Sequence, residues 1–435
     1  MRPDVTQTPS AECPHKGANS SAILEKSLME PDILLHPHDY YRALRLHAPV
    51  RYDEQTGMYL VSRYEDLQTV VRDPITYSVG HAWMRTFATG YFEEFKRILI
   101  REGGGYFPDA IMTDPPQHTR VRRLMQAAFT PRRIMQLEPV IRRFTSELLE
   151  KLAARGQADG VKEFASPMTI GIMCEQLGLD HADADKIATW SRVFTTIRGK
   201  QTHEQMLEDT KHFCDLQNYI IARVRERQAS RREDMISDLI YACEEGGENP
   251  TLTFEEVVSL TRAMVVGGLE SIGTALSTLL FMLATSPAVA RRLEESAGDD
   301  AKLGRFVEEC LRIEPPARGL FRATTKDVEL GGMRIPKDAM LCLLYASGND
   351  DESMFECPRE FDMERNNLNR HLSFGLGIHL CVGMHLARME VKVAAREIAR
   401  RLKDIRLAVP VERITYVSTL SMVSIASLPL AFSPR

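Results

Sequence analysis

The chain has 435 residues, of which 44% are hydrophobic and 26% charged, and its formal net charge is −5. That length and composition describe a globular protein of one large domain or a few ordinary ones, and the acidic balance argues against a nucleic-acid partner. The eight cysteines are scattered, with no C-x-x-C and no His/Cys group at zinc spacing, so free thiols in a reducing, cytoplasmic setting are expected.

The first twenty residues carry Asp4, Glu12, Lys16 and three prolines, with no apolar run suited to a signal peptide or membrane anchor. Residues 1–22 read as a disordered tail and 23–435 as one domain. Asp39–Arg45 reads as a short helix. Val50-Arg-Tyr and Met58–Ser62 read as two strands joined by the turn Asp53–Gly57, and Tyr64–Val71 as another helix. From Tyr77 to Thr113 the pattern is irregular and aromatic, with Gly103-Gly-Gly105, and reads as a long functional loop, an extra surface helix being the alternative.

Asp114-Pro-Pro then opens a helix for which Asp114 is the expected cap. In that helix His118 and Arg122 stand four apart on one face, as two cation-capable donors suited to a pair of carboxylates or simply to solvent. Amphipathic helices follow at about 134–154, 164–177, 182–196, 204–227 and 234–243, with a break at Arg198-Gly-Lys200.

The best-defined element begins at Thr253-Phe-Glu-Glu256, a capping box with Leu252 and Val257 placed as a hydrophobic staple. It runs to Thr285, roughly 48 Å at 1.5 Å per residue. Glu255, Glu256, Arg262 and Glu270 interrupt its apolar run, so a central rod is expected rather than a membrane span. At its middle lies Gly267-Gly-Leu-Glu270-Ser271. Each mid-helix glycine costs about 1 kcal/mol relative to alanine, so the pair suggests something flat against the backbone.

Glu309 and Arg312 stand three apart on the next helical stretch, ahead of Pro315-Pro316. Gly319–Gly332 reads as strand, turn and hairpin, Ile335–Leu344 as a further strand, and Thr415–Phe432 as a hairpin with Met422 near its tip. Between them lies His371-Leu-Ser-Phe-Gly-Leu-Gly-Ile-His-Leu-Cys381-Val-Gly383, running into the helical pattern Met384–Ile398. Its glycines let the backbone turn tightly, and the helix N-terminus beyond favours thiolate over thiol. A thiolate so placed suits a soft metal such as haem iron; on Cys381 alone, a structural cysteine beside a glycine turn reads equally well.

The full pattern Phe374-Gly-x-Gly-x-His379-x-Cys381-x-Gly383, continued by Leu386-Ala-Arg388-x-Glu390, resembles the haem-binding loop of the cytochrome P-450 superfamily. The resemblance covers the chain from about Asp39. It implies a mainly α, single-domain fold of a dozen or more helices with small β-sheets, and haem b between the long helix and the Cys381 loop. Cys381 becomes the metal ligand, with Phe374, Gly383 and Gly267 against the cofactor. His118, Arg122, Arg322 and His379 become the propionate partners. Glu270 and Ser271 become the acid–alcohol pair that steers protons to dioxygen, serine standing where threonine is usual. Glu309 and Arg312 become a buried folding pair, and Phe87, Val266, Leu320, Phe321 and Met422 line a substrate pocket.

The implied activity is that of a soluble, bacterial-type, monomeric, cytoplasmic monooxygenase without a membrane anchor. It would hydroxylate a C–H bond of a small apolar substrate with O2. Electrons would come from a ferredoxin, and from NAD(P)H only through that ferredoxin's reductase. Arg120, Arg123, Arg132, Arg133 and Arg388 are candidates for a basic docking face. The alternatives are a peroxide-driven or non-redox haem-thiolate enzyme, and a non-catalytic haem sensor or carrier.

Overall fold

The computed structural model describes residues 20–87, 91–191, 202–244 and 250–435. The break expected at 198–200 and residues 1–19 of the expected tail lie outside the described residues, and Ser20–Leu24 is already helical. The chain packs as two compact units, one of Met1–Tyr77, Thr145–Ser166 and Ser271–Arg435, the other of Ser78–Phe144 and Pro167–Glu270. Most of the structure is helix.

In the first unit, period-2 alternation builds a sheet with an apolar layer on each face. Val50–Asp53 pairs antiparallel with Met58–Val61, which runs parallel to Met340–Leu343; Leu320–Thr324 pairs antiparallel on the far side. The turn between the first two strands is held by Asp53, whose carboxylate accepts from the Gln55 and Thr56 N–H groups. Leu341 and Leu343 meet Leu67, Val70 and Val71 of the helix Tyr64–Arg72 on one face. Cys342 and Leu344 meet Tyr40, Tyr41 and Leu44 of the helix His38–His47 on the other. The C-terminal hairpin is Thr415–Ser418/Val423–Ser427, shorter than the expected Thr415–Phe432, because Pro429–Pro434 pairs with Gln157–Asp159 and Leu402–Leu407 instead.

In the second unit, helices Val79–Phe87 and Phe92–Glu102 stand where an irregular loop was expected over 77–113. Phe95 and Leu99, four apart, dock on Phe213 and Cys214 of the helix His203–Ala229, the Phe95 and Phe213 rings lying edge to face at 5.3 Å. That tertiary partner was invisible to local pattern. Asp114 does not cap its own helix, Gln117–Met125. Its carboxylate accepts from Ser78 Oγ and the Val79 N–H at 3.0 Å, so it secures the start of Val79–Phe87 instead.

The long helix is Phe254–Thr285, and its capping box is present: Glu256 N–H donates to Thr253 Oγ1 at 3.2 Å and Thr253 N–H to Glu256 Oε2 at 3.0 Å. It is long and apolar enough to cross a membrane by length and composition, but Val258, Leu260, Val265, Leu276 and Leu279 are sealed in the interior, as in a core rod. Six described cysteines form no disulfide; Cys357 departs from the expectation and is disulfide-bonded.

Candidate active site

The Cys381 loop is shaped by two glycines in the left-handed region, Gly375 at φ 71° and Gly377 at φ 73°. A Cβ on Gly377 would stand 2.6 Å from the Val71 carbonyl oxygen, so the loop lies directly on the backbone of Tyr64–Arg72; a Cβ on Gly375 would meet nothing closer than 3.8 Å. Cys381 N–H donates to the Phe374 carbonyl at 2.9 Å and Leu380 N–H to Gly377 at 3.1 Å, which closes the loop on itself. The cysteine side chain is exposed at the entrance to the helix Met384–Arg401, whose N-cap is Gly383.

The loop is fastened from behind by buried polar groups. Glu309 and Arg312 are both fully buried and pair through two hydrogen bonds of 2.7 and 2.8 Å. Arg365 Nε adds a third bond to Glu309 at 3.1 Å, and Arg312 donates onward to the Asn349 and Pro358 carbonyls. Asn349 carries this network into the loop: it donates to the Arg312 carbonyl, accepts from Leu372 N–H at 2.6 Å and donates to Ser373 Oγ at 3.0 Å. The Glu–Arg pair expected for folding therefore sets where the cysteine loop begins.

A second clamp holds Phe374. Its ring lies under the Arg388 guanidinium at 4.5 Å and beside the His371 ring. Glu308 binds both neighbours, accepting from Arg388 Nε and Nη2 at 2.7 and 2.8 Å and lying 3.0 Å from His371 Nε2. Burial opposes its charge, but the hydrogen bonds from His371 and Arg388 outweigh burial and hold the Glu308 carboxyl at about 2. Glu308, His371, Asn349 and Ser373 escaped the sequence reading because their partners lie tens of residues away.

The middle of the long helix opens where its flanks are sealed. Val265 and Leu276 are fully buried, yet Gly267 is exposed and Val266, Gly268, Leu269, Glu270 and Ser271 are half-buried. A Cβ on Gly267 would meet open space, which fits a ligand lying against the backbone; one on Gly268 would strike the Met173 side chain. Of the two glycines, the second thus serves helix packing and the first alone leaves room. Three residues past Ser271, Thr274 Oγ1 lies 2.7 Å from Ser424 Oγ and 3.6 Å from Met422 Sδ, which fastens the hairpin to the long helix at Thr274.

Leu320 and Phe321 do not share a pocket face. Successive strand residues point oppositely; Phe321 packs on the layer of Tyr41, Leu44 and Cys342, while Leu320 packs on the opposite layer that holds Leu341 and Leu343. Arg322 is buried, its Nη1 donating to the Phe321 carbonyl at 2.8 Å. His379 is half-buried within the cysteine loop. His118 is buried and Arg122 half-buried on one face of Gln117–Met125. The side chain of Phe87 lies outside the described residues. The arginines expected to form a basic face are largely neutralised: Arg120 pairs with Glu256, Arg123 with Glu244, Arg133 with Asp238 and Arg388 with Glu308.

Known proteins resemble this chain in sequence and fold. Residues 185–404 match the model of the family described as Cytochrome P450. The erythromycin C-12 hydroxylase of Saccharopolyspora erythraea is 33% identical over 83% of this chain and 86% of its own length. The cyclomarin C epoxidase CymV of Salinispora arenicola is 31% identical over 91% of this chain and 95% of its own. The structure of cytochrome P450 CYP109Q5 from Chondromyces apiculatus superposes with a TM-score of 0.80 at 30% identity, covering 94% of this chain and 98% of that one. With its glycine-turned cysteine loop, its buried Glu–Arg network and its long helix opened at the centre, the chain belongs to the cytochrome P450 family and is a monooxygenase of bacterial type.

Proposed function

We propose that the protein binds haem b through Cys381 and inserts one oxygen atom of O2 into a C–H bond of a small apolar organic molecule. The observation that carries this reading is an exposed thiol on a closed glycine loop whose start is held by a buried polar network. When bound and reduced, the haem supplies the dioxygen chemistry, and the thiolate's electron donation assists O–O cleavage.

The chain's own residues hold the group and manage protons. Cys381 is the metal ligand, and Arg322, His379, His118 and Arg122 are the donors for its two propionates, charge-assisted bonds being the strong ones. Phe374 and Gly383 flank the ligand, and Gly267 leaves the space that an alanine would fill. Glu270 holds a proton at its carboxyl and Ser271 passes it on through its hydroxyl. Val266, Leu320 and Met422 line the substrate side, with Phe87 a further candidate; Phe321 is assigned to the core.

Electrons come from a separate ferredoxin-type protein, itself reduced from NAD(P)H. The working form is a cytoplasmic monomer. A compound library screened for the low-to-high-spin shift of the ferric protein identifies the substrate class. Turnover under isotopically labelled O2, with ferredoxin and its reductase, then tests the reaction. One labelled oxygen per product molecule is expected; label absent from the product, or turnover with peroxide only, would overturn the proposal.

A further inference from the structure

The second unit contains a buried cation that makes no ion pair among the described residues. Arg262, two turns before Glu270 on the long helix, is 5% exposed, and among the described residues no carboxylate lies within ion-pair distance of it. Its guanidinium lies over the Phe213 ring at 4.7 Å and donates to two neutral acceptors, Gln217 Oε1 at 2.5 Å and the Phe107 carbonyl at 3.2 Å. Burial pulls its pKa down, and Asp109 and Tyr106 nearby oppose that pull. A buried charge whose direct hydrogen-bond acceptors are all neutral, with a carboxylate only at longer range, is costly, so its retention calls for a return beyond stability.

What the cation holds is the segment that follows the helix Phe92–Glu102. Gln217, fully buried, uses its Oε1 on Arg262 and both amide hydrogens on the same segment, Nε2 donating to Gly103 O at 2.7 Å and Gly105 O at 2.8 Å. Asn218 Nδ2 donates to Glu102 O at 2.7 Å, and the Ala110 N–H donates to Ser259 Oγ on the long helix at 3.0 Å. Three consecutive glycines allow this close seat: a Cβ on Gly104 would stand 2.6 Å from Ile221 Cδ1, and Gly104 and Gly105 both have positive φ. The segment is thus tied to the long helix at Ser259 and Arg262, immediately before the turn where that helix opens at Val266 and Gly267.

We propose that Arg262 and Gln217 are specificity-determining positioning residues: together they fix residues 103–110 beside the open stretch of the long helix and so set the size of molecule admitted there. Neither touches the reacting atoms. The inference rests on the haem-thiolate reading for its readout, because ligand entry is followed by the spectrum of the bound haem.

The decisive variant is Gln217→Glu in the holoenzyme. It keeps an acceptor for Arg262, now charged, but loses both donors to Gly103 and Gly105. Hydrogen exchange of amides 103–110 is expected to accelerate at least tenfold while the rest of the unit is unchanged. Spectral titration with imidazole and with 4-phenylimidazole is expected to show the ratio of their dissociation constants shifting at least fivefold. A purely structural role would weaken both ligands alike. An unchanged ratio, with or without faster exchange, overturns the proposal. Should Gln217→Glu fail to fold, the exposed Asn218→Ala removes one tie to the same segment and must move both readouts in the same direction; no movement is equally fatal. A missing thiolate-type carbon monoxide band in the unmodified protein would sink the haem reading itself, whereas a normal band with an unchanged ratio sinks this inference alone.

Discussion

Replacing the two loop glycines by alanine separates two physical costs that elsewhere come mixed. Gly375 and Gly377 have nearly the same left-handed φ, 71° and 73°, so each pays about 1–2 kcal/mol when given a Cβ. Their surroundings differ. At Gly375 the nearest atom to the new Cβ is 3.8 Å away, whereas at Gly377 the Val71 carbonyl oxygen is at 2.6 Å and cannot swing aside as a side chain could. Forcing the loop off that helix adds roughly 1–3 kcal/mol of overpacking. Gly375→Ala should therefore cost about 1–2 kcal/mol and Gly377→Ala about 2–5. The assay is the denaturant midpoint of both variants beside the unmodified protein, with haem content measured on the same samples. Because Gly377 lies four residues before Cys381, its variant should also lose haem, while Gly375→Ala keeps most of it. Equal losses of stability would show that the contact with Val71 is not tight and would refute the reasoning.

Other outcomes follow from the same geometry. Glu309→Ala leaves Arg312 and Arg365 buried without their shared carboxylate, which should cost about 3–5 kcal/mol and yield haem-poor or insoluble protein on expression. Glu308 has a folded pKa of about 2, below its ordinary 4.5, so the stability it contributes is complete above about 4.5 and is lost as pH falls towards 2. Glu308→Gln should flatten acid denaturation in that window, measured as unfolding midpoint against pH, and lower stability at pH 7 by roughly 2–3 kcal/mol. Gly267→Ala should stabilise the haem-free protein by up to about 1 kcal/mol through helix propensity while weakening haem retention, since the new methyl fills the space beside the helix. Ser271→Thr should reduce hydrogen peroxide released per electron pair, because the added methyl restricts the hydroxyl rotamer; no decrease would count against a proton-passing role for Ser271.

The parts legible in the sequence were those with short-range signatures. The capping box at Thr253 and Glu256, the strand pair round Asp53–Gly57 and the glycine turn before Cys381 each rest on residues within a few positions of one another, and each stands in the structure. Misreadings came where a local rule met a distant partner. Asp114 has the right residue type to cap its own helix, but Ser78 and Val79 offer it better donors. The aromatic stretch after Tyr77 reads as loop until Phe213 and Cys214 supply the surface that folds it as helix. Leu320 and Phe321 were placed together although strand parity separates them. The network that positions the cysteine loop through Asn349, Ser373 and Glu308 spans sequence separations of 23 to 80 residues, beyond any periodicity. At the long helix the Gly267-Gly268 pair was seen, but only packing distinguishes the glycine that faces space from the one that faces Met173.

The central claim is the bond between the Cys381 sulfur and haem iron, and the spectrum of the dithionite-reduced protein under carbon monoxide tests it most directly. A red-shifted, thiolate-type Soret band is predicted for the unmodified protein, and its loss is predicted for Cys381→Ala. A band at the position of histidine-ligated haems, or a Cys381→Ala variant with unchanged haem content and spectrum, would contradict the account.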